Sequence, residues 1–212
     1  MKISCEKTAG IIPVIEEIDK EDFCVVEWCE KIFDKARKES CGKCVLCREG
    51  TTQIYKIIND AAQGRGEAED IELLKELSEA VKENSSCELA RTAADKLLLT
   101  LEEQEEEWEM HIKRKRCSSL VCKKYITIHV LPEKCQGCGE CKEVCPENAI
   151  AGSIGMIHVV SEEKCSRCLE CIKACKYEAI QKAGAVKPKT PEAPVPVGSF
   201  EEVKGRRRRR GV

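Results

Sequence analysis

A chain of 212 residues carrying a net charge of −2 has room for one or two small domains. With only eight Phe, Trp and Tyr residues, it is not expected to build an aromatic-lined pocket for a flavin or a nicotinamide, so neither FMN nor NAD is assigned to it. The seventeen cysteines argue against a secreted disulfide scaffold. Their number is odd, and MKISCEKTAGIIPVIEE lacks the long apolar core of a signal peptide. A reducing cytoplasm is the expected location, and no apolar run approaches the roughly 18–20 residues of a membrane span.

Residues 1–19 read as an N-terminal extension, with Cys5 unassigned. Residues 20–39 fit an amphipathic helix through Phe23, Val26, Cys29, Ile32 and Phe33. Cys24 and Cys29 on that helix are read as small core hydrophobes. The segment ESCGKCVLCREGTTQ then presents Cys41, Cys44 and Cys47 as C-x2-C-x2-C. Three thiolates in one loop can hold three irons of a cubane, and a fourth ligand is required. Gly42 lets the backbone turn closely around such a core, and Arg48 brings a positive charge near it. Helices are predicted over 50–62 and 67–83 from the spacing of Ile54, Ile57 and Ile58, then of Ile71, Leu74, Leu77 and Val81. Ser85 or Ser86 caps a fourth helix running from Cys87 towards Met110. Cys87, at that helix N-terminus, supplies the fourth thiolate. Residues 20–112 are therefore expected to form a small four-helix bundle holding one four-iron (4Fe-4S) cluster.

Residues 113–129 form a connector. Cys117 and Cys122 lie there beside His111 and His129, and with one or both of these histidines they make a candidate structural zinc site; otherwise the two cysteines are loop thiols. From residue 130 the sequence repeats. VLPEKCQGCGECKEVCPENAI carries C-x2-C-x2-C-x3-C at Cys135, Cys138, Cys141 and Cys145. VSEEKCSRCLECIKACKYEAI carries it again at Cys165, Cys168, Cys171 and Cys175. This spacing binds two four-iron clusters, with the fourth cysteine of each run ligating the other cluster. One set is then Cys135, Cys138, Cys141 and Cys175; the other is Cys165, Cys168, Cys171 and Cys145. Zinc ribbons use C-x2-C pairs, not triplets with a distant fourth ligand. His158, between the repeats, is read as a packing or surface residue. Residues 184–212 read as a disordered Pro-rich tail ending in Arg206–Arg210, which either docks on an acidic partner or has no specific role. The Arg run has no interleaved aromatics, so nucleic acid is not the expected partner.

From about Ala9 to Ile112 the chain resembles the C-terminal part of the NADH-oxidising flavoprotein subunit of respiratory complex I. It is similar there to the matching subunit of NAD-linked and electron-bifurcating iron hydrogenases. The shared words are ESCGKCxxCREGT, SSCxLxxTA and an acidic helix ending in His111. The resemblance implies that Cys41, Cys44, Cys47 and Cys87 hold a cluster that takes electrons from a flavin. The family's Gly-rich FMN- and NADH-binding domain is expected ahead of this segment, and no G-x-G-x-x-G word occurs in the sequence. The relay role therefore carries over, and NADH oxidation does not. The hydrogenase-type subunits also end in a two-cluster ferredoxin module reached through a Cys-x4-Cys connector.

The expected protein is α+β: a helical cluster-binding bundle (20–112), a connector (113–129), a two-cluster ferredoxin-like domain (130–183) and a tail (184–212). The expected function is a non-catalytic electron-transfer subunit of a cytoplasmic oxidoreductase, which an electron-bifurcating complex would suit. Three 4Fe-4S clusters would relay single electrons between a flavoprotein, NAD(P)H-linked partner and ferredoxin or a second catalytic subunit. The alternatives are a cluster-containing redox sensor and a free-standing ferredoxin.

Overall fold

The computed structural model describes residues 23–200. The extension over 1–19, Cys5 and the Arg run at 206–210 lie outside the described residues. The chain is α+β, with helices followed by short antiparallel sheets, and it divides into two compact units after Ile126.

In the first unit α1 (Val25–Glu39), α2 (Thr51–Ala62), α3 (Asp70–Asn84) and α4 (Glu88–Glu103) each bury one stripe and expose the other. On α1 the stripe is Val25, Val26, Trp28, Cys29, Ile32, Phe33 and Ala36. It packs against α2 and α4, and α3 packs against α4. The expected fourth helix is broken: α4 ends before Gln104 (φ −129°, ψ 37°), and α5 (Glu105–Ile112) restarts after it. Charge accounts for the break. A continuous helix through EEQEEEWE would stack carboxylates at i,i+3 and i,i+4 spacing. The restart places Glu105, Glu106 and Glu107 in a first turn, where the helix dipole favours them, and buries Trp108, His111 and Ile112. Ser85 does not cap α4 directly; it accepts a 3.3 Å hydrogen bond from the Cys87 N–H, and Cys87 is the N-cap residue.

The second unit opens with β1 (Thr127–Val130). Two short helices, α6 (Glu140–Glu143) and α7 (Glu170–Ala174), pack on each other. β2 (Ile150–Ala151) pairs with β4 (Val159–Val160), and β1 pairs with β5 (Ile180–Ala183) in the register Thr127↔Ala183 to Val130↔Ile180. The two copies of the repeat share unusual backbone. Gly137 and Arg167, Gly139 and Leu169, and Asn148 and Glu178 are equivalent pairs, and all six have positive φ. The second copy holds Arg167 and Leu169 in the left-handed region, where a side chain costs about 1–2 kcal/mol.

The tail departs from the sequence expectation. Residues 184–200 are not all unstructured: β6 (Val195–Pro196) pairs antiparallel with β3 (Met156–Ile157). The Val197 N–H also donates to the Gly155 carbonyl at 3.0 Å. β3 offers a free edge, and Pro196 is tolerated because an edge strand need not donate at every position. Lys187 is held by both carboxylate oxygens of Glu162 at 2.7 Å.

Candidate metal centres

In the helical unit the loop after α1 carries Cys41, Cys44 and Cys47. It runs into a single π-helical turn, Leu46–Gly50, of the kind that often marks functional sites. Cys47 is buried, Cys44 half-buried and Cys41 exposed. The turn before α4 approaches this loop: Cys44 Sγ lies 3.6 Å from Ser85 Oγ, two residues before the buried Cys87. Burial opposes ionisation of Cys44. The N–H groups of Cys47, Ser86 and Leu46 and the Ser85 hydroxyl outweigh it, holding the thiol below its ordinary pKa. Cys87 stands at the N-terminus of α4, where the dipole favours a thiolate. This is a donor set suited to a cationic core. The Arg48 guanidinium closes the loop, donating to the Gly42 carbonyl at 2.9 Å and to Glu49 at 2.7 Å.

In the second unit two cavities lie among the cysteines. One is lined by Cys135, Cys138, Cys141 and Cys175. The other is lined by Cys145, Cys165, Cys168 and Cys171. Each cavity thus takes three cysteines from one copy of the repeat and the fourth from the other. Crowding makes a metal-free thiolate costly in both. Burial, reinforced by neighbouring thiols, pushes Cys141 up to about 12 and Cys171 up to about 11. A positively charged iron core would reverse this shift. Backbone N–H groups already point at the sulfurs: Ala149 at Cys145 (3.3 Å), Ala179 at Cys175 (3.4 Å) and Arg167 at Cys165 (3.4 Å).

Gly137, between the first two cysteines of its run, has no room for a side chain. At φ +66°, a Cβ would fall 2.8 Å from the Met156 nitrogen and 2.9 Å from Gly155 backbone atoms. Gly137→Ala is expected to cost about 2–5 kcal/mol, adding left-handed strain to a forced backbone shift. Gly139→Ala, with open space around it, is expected to cost only about 1–2 kcal/mol. Anaerobic denaturation of the iron-loaded chain, with iron counted in each variant, checks the difference.

A third group lies in the helical unit. Cys24, His111, Cys117 and Cys122 are all buried, and their ligand atoms lie within 4.8 Å of one another. Cys24 Sγ is 3.3 Å from His111 Nε2 and 3.5 Å from Cys122 Sγ, and Cys122 Sγ is 3.4 Å from His111 Nε2. His111 Nδ1–H donates to the Glu107 carbonyl at 2.8 Å, which leaves Nε2 for a metal. Tyr125 packs edge-on against the imidazole at 5.4 Å and donates to the His111 carbonyl at 3.1 Å. Contacts with Cys122 and Cys24 hold Cys117 below the ordinary thiol range, and the adjacent Cys117 pushes Cys122 above it. Burial of His111 acts downward, but bonding to Cys117 and Cys24 carries it up to about 10. Three thiols and one imidazole at these distances fit a tetrahedral Cys3His zinc site.

The structure therefore joins His111, Cys117 and Cys122 but replaces His129 with Cys24. His129 sits on β1 in the other unit, its Nε2 2.7 Å from Thr127 Oγ1, with its pKa lowered by burial. Cys24, read from sequence as a core residue, faces the other three. Cys29 is a core thiol, 3.5 Å from Thr100 Oγ1, and burial raises its pKa to about 12. His158 is packed rather than at the surface: it is 1% exposed, and it lines the Cys135 cavity.

Comparison with known proteins agrees with this division. Residues 27–111 match the NADH-ubiquinone oxidoreductase-F iron-sulfur binding region. Residues 128–151 and 158–181 each match the 4Fe-4S binding domain. The chain is 37% identical over 133 residues to NADP-reducing hydrogenase subunit HndC of Solidesulfovibrio fructosivorans, covering 63% of this chain and 27% of that protein. It is 33% identical over 97 residues to the F subunit of the NADH-quinone oxidoreductase of Streptomyces coelicolor, covering 46% of this chain and 22% of that one. It is 38% identical over 66 residues to NADP(+)-dependent formate dehydrogenase subunit beta of Moorella thermoacetica, covering 31% and 9%. The chain thus spans about a quarter or less of the length of these relatives. Among the described residues no helix is long and apolar enough to cross a membrane. The chain carries iron–sulfur electron-transfer domains, and it resembles the cluster-binding part of the NADH-oxidising flavoprotein subunit joined to a 4Fe-4S ferredoxin domain.

Proposed function

We propose that this chain relays single electrons through three 4Fe-4S clusters, linking a flavin-bearing, NAD(P)H-linked donor to ferredoxin or a second catalytic subunit. Cys41, Cys44, Cys47 and Cys87 hold the first cluster in a bundle built on four main helices. Cys135, Cys138, Cys141 and Cys175 hold the second, and Cys145, Cys165, Cys168 and Cys171 the third, in a ferredoxin-like domain. When bound, each cluster accepts and releases one electron at a time, which lets a two-electron flavin serve one-electron carriers. The chain's own groups set the conditions: thiolates carry the iron, and N–H groups at Cys44, Cys145, Cys165 and Cys175 offset the charge. Cys24, His111, Cys117 and Cys122 hold one zinc, which ties α1 to α5 and to the segment that follows it. Zinc has no redox chemistry, so its part is structural.

The observation that carries this reading is the exchange of fourth cysteines, Cys175 and Cys145, between the two cavities. A zinc ribbon or a disulfide framework would not require it. The names of two relatives, an NADP-reducing hydrogenase subunit and an NADP(+)-dependent formate dehydrogenase subunit, support the NAD(P)H-linked donor. An electron-bifurcating complex in a reducing cytoplasm suits a carrier that joins NAD(P)H to ferredoxin. The anaerobically reconstituted chain, reduced with dithionite and freed of excess reductant, is expected to deliver about three electrons per chain to an oxidised ferredoxin. Delivery of none would rule out the relay.

A further inference from the structure

The two ferredoxin-part cavities are alike in cysteine pattern, but their other walls differ. Around Cys145, Cys165, Cys168 and Cys171 the buried wall is apolar, made by Ile128, Ala149 and Ile150. Around Cys135, Cys138, Cys141 and Cys175 it includes His158, buried to 1% exposure. His158 Nε2 is shut off from solvent and has no hydrogen-bond partner in the protein. A buried ring nitrogen in that state costs stability unless something in the cavity satisfies it. The ring is also held in place. A Cβ on Gly152 would fall 2.7 Å from His158 Cδ2 and 3.0 Å from Cγ, so only glycine leaves the imidazole this position. Lys142 donates to the Gly152 carbonyl at 2.9 Å and fixes that glycine in turn.

We propose that His158 Nε2–H donates a hydrogen bond to sulfur of the cluster held by Cys135, Cys138, Cys141 and Cys175, and so raises that cluster's potential above its partner's. The inference rests on the reading that both cavities hold four-iron clusters. One-electron reduction adds negative charge to the iron–sulfur core. An N–H donor aimed at sulfur stabilises the reduced form more than the oxidised one. Among the described residues, the only non-cysteine side-chain donor lining the other cavity is the exposed Ser166 hydroxyl, which stands where Gln136 does in this one; no buried donor matches His158, so the pair is unequal, and electrons collect at the Cys135 site. Burial and the nearby Lys142 ammonium keep His158 below its ordinary pKa, so the neutral imidazole has one N–H, for which the Met156 backbone carbonyl and the cluster sulfur compete; the negative charge on the sulfur draws it to Nε2. His158 is a potential-setting residue and leaves iron binding to the cysteines.

The test is an EPR-monitored redox titration of the anaerobic, iron-loaded full chain, with iron counted in every sample. His158→Phe keeps a ring against Gly152 but removes the donor; it is expected to lower one ferredoxin-part potential and leave the other in place. His158→Gln, which restores an N–H, is expected to recover part of the shift. Pulsed EPR of the reduced wild type with 15N-labelled histidine is expected to show coupling to an imidazole nitrogen. That measurement decides the matter should His158→Phe shed iron. Unmoved potentials at full iron overturn the inference and leave the cluster reading intact. They would mean that the ring proton stays on Nδ1, towards the Met156 carbonyl. Equal shifts in both variants, or no nitrogen coupling, also overturn it. A wild-type chain lacking iron at this site overturns the cluster reading itself.

Discussion

Cys87→Ser is expected to release about four of roughly twelve irons per chain and to leave both ferredoxin-part potentials unchanged. The two units account for the selectivity: Cys87 belongs to the helical unit, and the ferredoxin cysteines lie beyond Ile126. The effect should be large because the site is assembled from distant parts of the chain. The loop at 41–47 contributes three sulfurs, but its contact with the α4 turn runs through Cys44, Ser85 and Cys87. A serine oxygen is a poor ligand for a cluster that selects soft thiolates. Loss of the core also leaves Cys44 and Cys47 partly or fully buried without their cationic counterpart, so the helical unit should melt earlier. Ser85→Ala removes only its two hydrogen bonds, with Cys44 Sγ and the Cys87 N–H, and should cost about 1–2 kcal/mol with iron retained. Iron analysis and the EPR spectrum of the reduced protein check both variants.

Cys24→Ser is expected to abolish zinc binding, whereas His129→Ala is expected to retain it. Cys24 is buried with its sulfur 3.3 Å from His111 Nε2, and His129 is in the other unit on a strand. Loss of an outer-shell partner typically weakens a metal site by about 10–100-fold, and loss of a ligand does more. Because structural zinc contributes directly to folding, Cys24→Ser should also lower the melting temperature of the helical unit. A chelator should lower the wild-type and His129→Ala melting temperatures alike and leave Cys24→Ser unchanged. Zinc analysis with and without chelator, beside a thermal melt, reads out all three proteins.

The ferredoxin cysteines were legible in the sequence because the size of a cubane dictates the spacing of the residues around it. Helix positions were legible from the period of Ile, Leu and Val. The break at Gln104 was not, since Trp108 and His111 continue the apolar pattern; repulsion among the flanking carboxylates outweighs that continuity. Cys24 was missed because its partner His111 is 87 positions away, and a cysteine on an amphipathic helix reads as core. His129 was included for its nearness to Cys122 in sequence, but β1 begins at Thr127 and carries it into the other unit. The pairing of β6 with β3 was hidden in a Pro-rich stretch whose composition reads as disorder. The packing of His158 against Gly152 depends on tertiary contact, and no local spacing signals it.

The most direct test of the relay account is gentle anaerobic purification of the native protein, with iron, zinc and flavin quantified and co-purifying chains identified. The account predicts about twelve irons and one zinc per chain, with flavin present in stoichiometric amount in the complex. A chain that purifies alone with about eight irons or fewer would contradict it, by removing the cluster at Cys41, Cys44, Cys47 and Cys87 that links the flavin to the ferredoxin part.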